Sequence, residues 1–176
     1  MMMRMLDAGG LPALTDNIRR ADEDNPRGYY EFEPVKRTRQ DPSWLTRAGG
    51  MVVKMVYRLL YDLPATYTYH VIFMRRNLLE VIKSQDVMLA RKGRKTGDIS
   101  PDKLLGLFQQ QLAEFDAWVA QQPNFRVLYV HYNEIIRAPR PGVEAINRFL
   151  GGGLNEAAML AVVEPELYRQ RSGAGD

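Results

Sequence analysis

The sequence predicts an α/β domain with a mostly parallel sheet. Three apolar runs rich in β-branched and aromatic residues lie at 51–56, 69–74 and 125–130, and they lack the strict alternation of strands with one solvated face. Helical patterns between the last two runs extend from Asn77 to Arg91 and onward from Ser100. Strands that alternate with helices usually pair in parallel. Ligands of such sheets bind at the carboxyl ends of the strands.

The predicted helices begin and end on recognisable signals. Residues 1–8 form a helical pattern that a glycine pair ends. Asn77 is a predicted N-cap, and Glu80, three residues later, fits a capping box. Ser100 precedes a proline and opens the next helix, and 143–150 form a later helix ended by three glycines. The helix after Ser100 has one predicted apolar face, made of Leu104, Phe108, Leu112, Phe115 and Val119.

The composition limits the possible functions. The chain has 176 residues, 45% of them hydrophobic and 26% charged, which suits a single globular domain over 1–176. A formal net charge of +3 permits an anionic ligand without requiring nucleic acid. The lack of cysteine excludes disulfides and thiol nucleophiles, and two distant histidines supply a metal site poorly. Since no membrane span or targeting signal is recognisable, we expect a cytoplasmic location.

The most informative segment lies where the second predicted strand ends. Arg76 follows that strand, and the capped helix begins directly after it. An arginine in this position is placed to contact a ligand, and its planar set of donors suits a phosphate. Ser84 lies about two helical turns, roughly 10 Å, beyond the cap, so one phosphate beside the helix is within reach of both side chains. Arg75 is expected to face the other way.

These motifs resemble those of the sulfotransferase superfamily in order and spacing. The family's 3′-phosphate motif is an arginine at a strand end and a serine eight residues later, as in Arg76 and Ser84. The proline often found in the intervening turn is replaced by Leu78. The remaining similar segments are the Asn-x-x-Gly-Tyr-x-Glu pattern at 25–31, the strand and proline-bearing loop at 52–64, the late strand and turn at 127–136, and Phe149-Leu150-Gly151.

The resemblance implies a fold and a reaction. The fold would be a P-loop-NTPase-like three-layer sandwich, and the enzyme would transfer a sulfuryl group from 3′-phosphoadenosine 5′-phosphosulfate (PAPS), without a metal. The acceptor would be a hydroxyl or amine of a small molecule or glycan. Residues 1–10 are similar to the helix that follows the family's phosphosulfate loop. We therefore expect the first strand and that loop to be missing from this sequence.

The resemblance also implies roles for individual residues. Some members use a histidine two positions after a strand lysine, but that position is Val56 here. Others use a glutamate, so Glu31 is the candidate base, with Glu33 second, and Lys54 is the candidate cation for the transferring group. Two arginines near the end of the chain, Arg169 and Arg171, either fold back over the nucleotide or belong to a basic tail.

Two other functions remain open from the sequence. One is another P-loop phosphotransferase, such as a nucleotide kinase, which would need a Gly-Lys-Ser/Thr loop and a magnesium-binding carboxylate at a strand end. The strand ends carry Arg76 and His131 instead. The other is a catalytically inactive sulfotransferase-like binding domain, since fold alone does not decide activity.

Overall fold

The structure, a computed structural model, describes residues 1–16, 18–19, 21–22, 25, 28–91 and 99–164, except for the side chains of 87–91. Within these ranges the chain forms six α-helices and two strands. The elements are α1 (Met2–Ala8), β1 (Tyr69–Arg75), α2 (Leu78–Arg91), α3 (Pro101–Val119), β2 (Phe125–His131), α4 (Tyr132–Arg137), α5 (Pro139–Phe149) and α6 (Glu156–Ala161), with 3-10 helices at Glu33–Arg37, Ser43–Arg47 and Tyr57–Asp62.

The two strands pair in parallel, in a register that runs from Tyr69 opposite Phe125 to Arg75 opposite His131. Both were predicted from their apolar runs, and both are confirmed with one further residue at the carboxyl end. Parallel strands need a long crossover connection, and the segment between β1 and β2 contains α2 and α3. The coarse prediction of an α/β fold with parallel pairing is therefore confirmed.

Different helices cover the two faces of this sheet. Ile72 and Met74 of β1 pack with a cluster from α1, α5 and α6, whose fully buried members include Met5 and Met159. Alternate residues face the other way, so that Phe73 stacks on Phe115 of α3 with ring centroids 4.9 Å apart. The sheet is thus covered on both faces, which explains why its strands lack polar alternation.

The predicted strand at 51–56 is wrong. In the described residues this segment makes one isolated parallel bridge, between Val52 and Ala13, and two main-chain bonds of 2.9 Å join Val52 to Pro12 and Leu14. A strand exists only where a neighbour pairs with it along its length. The apolar residues of the segment serve packing instead, since Val53 and Met55 lie against the cluster around Trp44.

Helix ends follow local chemistry where the sequence shows it clearly. Ser100 accepts a bond from the Lys103 amide at 3.4 Å, so the predicted N-cap of α3 is confirmed. Helix α5 begins at Pro139, four residues before the predicted start. Helices α4 and α6 have six residues each and were not predicted, because such short segments show little periodicity. In the described ranges, no helix is long and apolar enough to cross a membrane.

Candidate functional site

The carboxyl ends of β1 and β2 bring Arg76 next to Tyr132. Because Arg75 pairs with His131, the residue after each strand lies at the same edge of the sheet. The Arg76 guanidinium carbon lies 5.0 Å from the centre of the Tyr132 ring, within cation–π range. Burial raises the pKa of Tyr132, and the positive charge of Arg76 acts in the opposite direction. The predicted ligand-facing arginine is therefore at the expected edge.

A buried carboxylate contacts this arginine. Glu80 is fully buried, with Oε2 at 3.5 Å from Nε of Arg76 and Oε1 at 3.5 Å from Nδ2 of Asn133. The predicted cap of α2 is present, since Asn77 accepts a 2.9 Å bond from the Leu79 amide. Glu80, predicted as the other half of a capping box, lies against Arg76 because a buried charge needs an opposite charge or donors nearby.

Ser84 lies on α2, partly exposed, one turn beyond Glu80. Glu80 and Ser84 are four residues apart, and residues at that spacing follow one another along the same side of a helix. Arg76 precedes the helix and contacts Glu80, so Glu80 neighbours both residues predicted to hold a phosphate. A phosphate at this place would share Arg76 with a buried carboxylate.

Arg75 makes its contacts elsewhere, as predicted. Its guanidinium pairs with Asp116 of α3 and lies 4.3 Å from the centre of the Tyr129 ring. Tyr129 in turn donates a 2.7 Å hydrogen bond to Asp116. The hydrogen bond to Asp116 raises the pKa of Arg75. These contacts make Arg75 part of the packing of α3 on the sheet.

The two predicted catalytic residues lie together. Nζ of Lys54 is 3.8 Å from Oε1 of Glu31, and it donates a 2.9 Å hydrogen bond to the Tyr29 carbonyl. Glu31 is one-quarter exposed, at 26%, and Lys54 is 43% exposed. Both side chains are therefore accessible from solvent. The fold brings them together although 23 positions separate them in the sequence (54 − 31).

Three further residues complete this cluster: Tyr29, and also Arg19 and Asp22, which sequence reasoning missed. Arg19 pairs with Glu31 at 3.0 Å, and its guanidinium carbon lies 3.3 Å from the centre of the Tyr29 ring. The Tyr29 hydroxyl donates to both carboxylate oxygens of Asp22, at 2.6 and 2.8 Å. The contacts cross a polar loop at irregular spacings, so no periodic pattern in the sequence indicates them.

The electrostatic setting of Lys54 is that of a partly buried cation. Burial lowers the pKa of Lys54, and the charge of Arg19 lowers it further, whereas the charge of Glu31 raises it. Lys54 also acts on the start of α1: the pKa of the Met1 α-amino group is lowered by burial first and then by the charges of Arg4 and Lys54.

The remaining predicted residues do not join this cluster in the described contacts. Glu33 pairs with Lys36, three residues later in the same 3-10 helix. Arg169 and Arg171 lie outside the described residues. In the part of the chain that the structure describes, no three side chains of histidine, aspartate or glutamate are grouped to hold a metal ion.

Comparison of the chain with protein families, with curated proteins and with solved structures gave no match.

Proposed function

We propose that this domain is a PAPS-dependent sulfotransferase that acts on a hydroxyl or amine of a small molecule or glycan. The observation that carries the proposal is the 3.8 Å contact between Glu31 and Lys54. The sequence predicted separate roles for them, Glu31 as the base and Lys54 as the cation. Their meeting at one accessible place is what sulfuryl transfer needs.

The proposed chemistry uses these two side chains directly. The acceptor oxygen forms a bond to the sulfur as the bond from sulfur to the phosphate oxygen breaks, which releases adenosine 3′,5′-bisphosphate. Glu31 takes the proton of the acceptor hydroxyl. Lys54 stabilises the negative charge on the sulfuryl oxygens. Its ammonium has three donors, and in the described contacts it makes one hydrogen bond, to the Tyr29 carbonyl.

For the nucleotide, the proposal assigns the 3′-phosphate to Arg76 and Ser84. Support comes from the position of Arg76 at the carboxyl edge of a parallel sheet, where α/β proteins bind ligands. We propose that the sheet belongs to a P-loop-NTPase-like sandwich on the same grounds.

Calorimetry with adenosine 3′,5′-bisphosphate and with 5′-AMP tests the nucleotide assignment. We expect the bisphosphate to bind at least tenfold more tightly, because only it has the 3′-phosphate that the proposal assigns to Arg76. Arg76→Lys keeps the charge that balances Glu80 but loses the two-pronged contact, so it should remove most of this preference. Arg76→Ala is a poor probe, because it leaves the Glu80 carboxylate buried without its cation.

The chain offers a matched control one position away. Arg75→Lys makes the same chemical change at a residue that contacts Asp116 instead, and it should leave the preference intact. Equal affinity for the two nucleotides, or an equal effect of both lysine variants, would refute the 3′-phosphate site.

Catalysis is tested separately, by release of adenosine 3′,5′-bisphosphate from PAPS in the presence of a panel of hydroxyl and amine acceptors. Glu31→Gln and Lys54→Met should each reduce turnover at least 100-fold, in the range expected for a general base or a charge-stabilising group. Bisphosphate binding without any transfer would instead favour the non-catalytic binding domain.

A further inference from the structure

Tyr30 has an uncommon backbone conformation directly before Glu31. Its φ angle is +51°, and among the described non-glycine residues no other has a positive φ. The left-handed region is unfavourable for residues with a side chain, because Cβ approaches the following carbonyl oxygen. Such a conformation persists only where the surrounding contacts hold it, and those that persist cluster at functional sites.

The contacts nearest to Tyr30 are on the carbonyl groups of the residues before and after it. The carbonyl of Tyr29 accepts the 2.9 Å bond from Lys54. The carbonyl of Glu31 accepts bonds from the Thr15 hydroxyl at 2.9 Å and from the Asp16 amide at 3.2 Å. The conformation of Tyr30 is therefore fixed from both ends by residues distant in sequence.

The turn at Tyr30 brings two groups to the same ammonium. The Tyr29 carbonyl is 2.9 Å from Nζ of Lys54, and the Glu31 carboxylate is 3.8 Å from it. Tyr30, with its left-handed backbone, lies between the two groups in the chain.

We propose that Tyr30 is a positioning residue, whose left-handed backbone holds the Tyr29 carbonyl and the Glu31 carboxylate around Lys54. The proposal deepens the sulfotransferase function and rests on it for the catalytic meaning of the pair. The positioning itself can be measured without any ligand or turnover.

The test is a series of substitutions ordered by tolerance of positive φ. Tyr30→Gly and Tyr30→Asn accept this conformation easily, Tyr30→Ala less so, and Tyr30→Val hardly at all. Tyr30→Phe keeps the backbone preference and removes the hydroxyl, so it is the matched control. Two quantities are measured: the pKa of the Lys54 ammonium by NMR, and the equilibrium constant of unfolding in urea.

We expect Tyr30→Gly, Tyr30→Asn and Tyr30→Phe to retain the lowered pKa of Lys54. Tyr30→Val should shift that pKa, because the Glu31 charge that raises it and the burial that lowers it both change, and should raise the unfolding constant roughly 5- to 30-fold. If Tyr30→Val does not fold, Tyr30→Gly and Tyr30→Asn still test the proposal, because a Lys54 pKa in either variant that differs from that of wild type and Tyr30→Phe would show that the ring, and not the backbone, positions the two groups. Asparagine and valine both remove the ring, but only asparagine tolerates a positive φ. A Lys54 pKa that is retained with asparagine and shifted with valine therefore indicates a role of the backbone.

The outcomes separate this inference from the proposed function. An unchanged Lys54 pKa in Tyr30→Val, or an equal shift in Tyr30→Gly, overturns the positioning role whatever the enzyme does. If the pKa order holds while no variant transfers a sulfuryl group, the positioning role stands and the sulfotransferase proposal fails. If both hold, Tyr30→Val should lower kcat and leave the affinity for adenosine 3′,5′-bisphosphate unchanged.

Discussion

The guanidinium groups of Arg75 and Arg76 are turned to different helices, although the two residues are adjacent. Arg75 pairs with Asp116 on α3, whereas Arg76 pairs with Glu80 on α2. The separation arises because side chains alternate along a strand and β1 ends at Arg75. One arginine thereby joins the packing between helix and sheet, and the other is left at the carboxyl edge.

Arg75→Met should lower the free energy of unfolding by about 1 kcal/mol, because it loses a partly exposed ion pair and a cation–π contact. Urea denaturation measures the loss, and Asp116→Asn should reproduce most of it. The affinity for adenosine 3′,5′-bisphosphate should stay within about twofold of wild type, since Arg75 does not contact the proposed ligand. A large loss of affinity would mean that the wrong arginine is assigned to the phosphate.

Glu80→Gln should tighten the binding of adenosine 3′,5′-bisphosphate. Two unit negative charges about 8 Å apart repel each other by roughly 2 kcal/mol at an effective dielectric constant near 20. Removing the Glu80 charge should therefore increase the affinity roughly tenfold or more. Calorimetry at two salt concentrations gives the effect. Inorganic phosphate should follow the same trend, whereas weaker binding in the variant would mean that Glu80 assists the ligand.

The pKa of Lys54 should move in opposite directions in two variants. Glu31→Gln removes a charge that raises the pKa, so it should fall further below its ordinary value. Arg19→Gln removes a charge that lowers it, so it should rise. NMR titration of the lysine ammonium provides both numbers, and Arg75→Met, remote from the cluster, is the control. Shifts of the same sign would show that the loop rearranges instead of keeping the described contacts.

Tyr69 should make stability fall at high pH. Burial, with a smaller effect of Tyr67, raises the pKa of Tyr69 from 10.0 to about 12, and its hydroxyl donates to the Pro64 carbonyl at 2.8 Å. The folded state holds the phenolic proton more tightly than the unfolded state. The resulting stabilisation is complete below pH 10 and is lost as the pH rises toward 12.

The measurement is urea denaturation between pH 9 and 12 for wild type and Tyr69→Phe. The difference in unfolding free energy between the two proteins should shrink over this interval, because only wild type has that phenolic proton to lose. A constant difference would show that the Tyr69 hydroxyl is not shielded from solvent.

The fold could be predicted where local and tertiary preferences agree. The runs at 69–74 and 125–130 became strands because they pair with each other. The run at 51–56 has a similar composition but pairs only at Val52 in the described residues, and composition cannot show whether a neighbouring strand is present. The α3 cap at Ser100 was predictable because it depends on residues three positions apart.

The candidate site was predictable in its members but not in its contacts. Glu31 and Lys54 were selected one by one from a resemblance, and their 3.8 Å contact depends on how the loop folds. Arg19 and Asp22 were missed because their partners follow no helical or strand period. The sequence indicated Glu80 only as a capping residue. Its burial against Arg76 depends on the packing of α2, which the sequence does not show.

The parallel pairing of β1 with β2 has a consequence for synthesis on the ribosome. Tyr69 cannot find its partner Phe125 until α2, α3 and the whole second strand have emerged. Until then the apolar residues of β1 lack their neighbouring strand, and they also lack α5 and α6, which complete the cluster on one face of the sheet. The nascent chain therefore carries an exposed, aggregation-prone strand for much of its translation, and slower elongation after residue 75 should increase its dependence on chaperones.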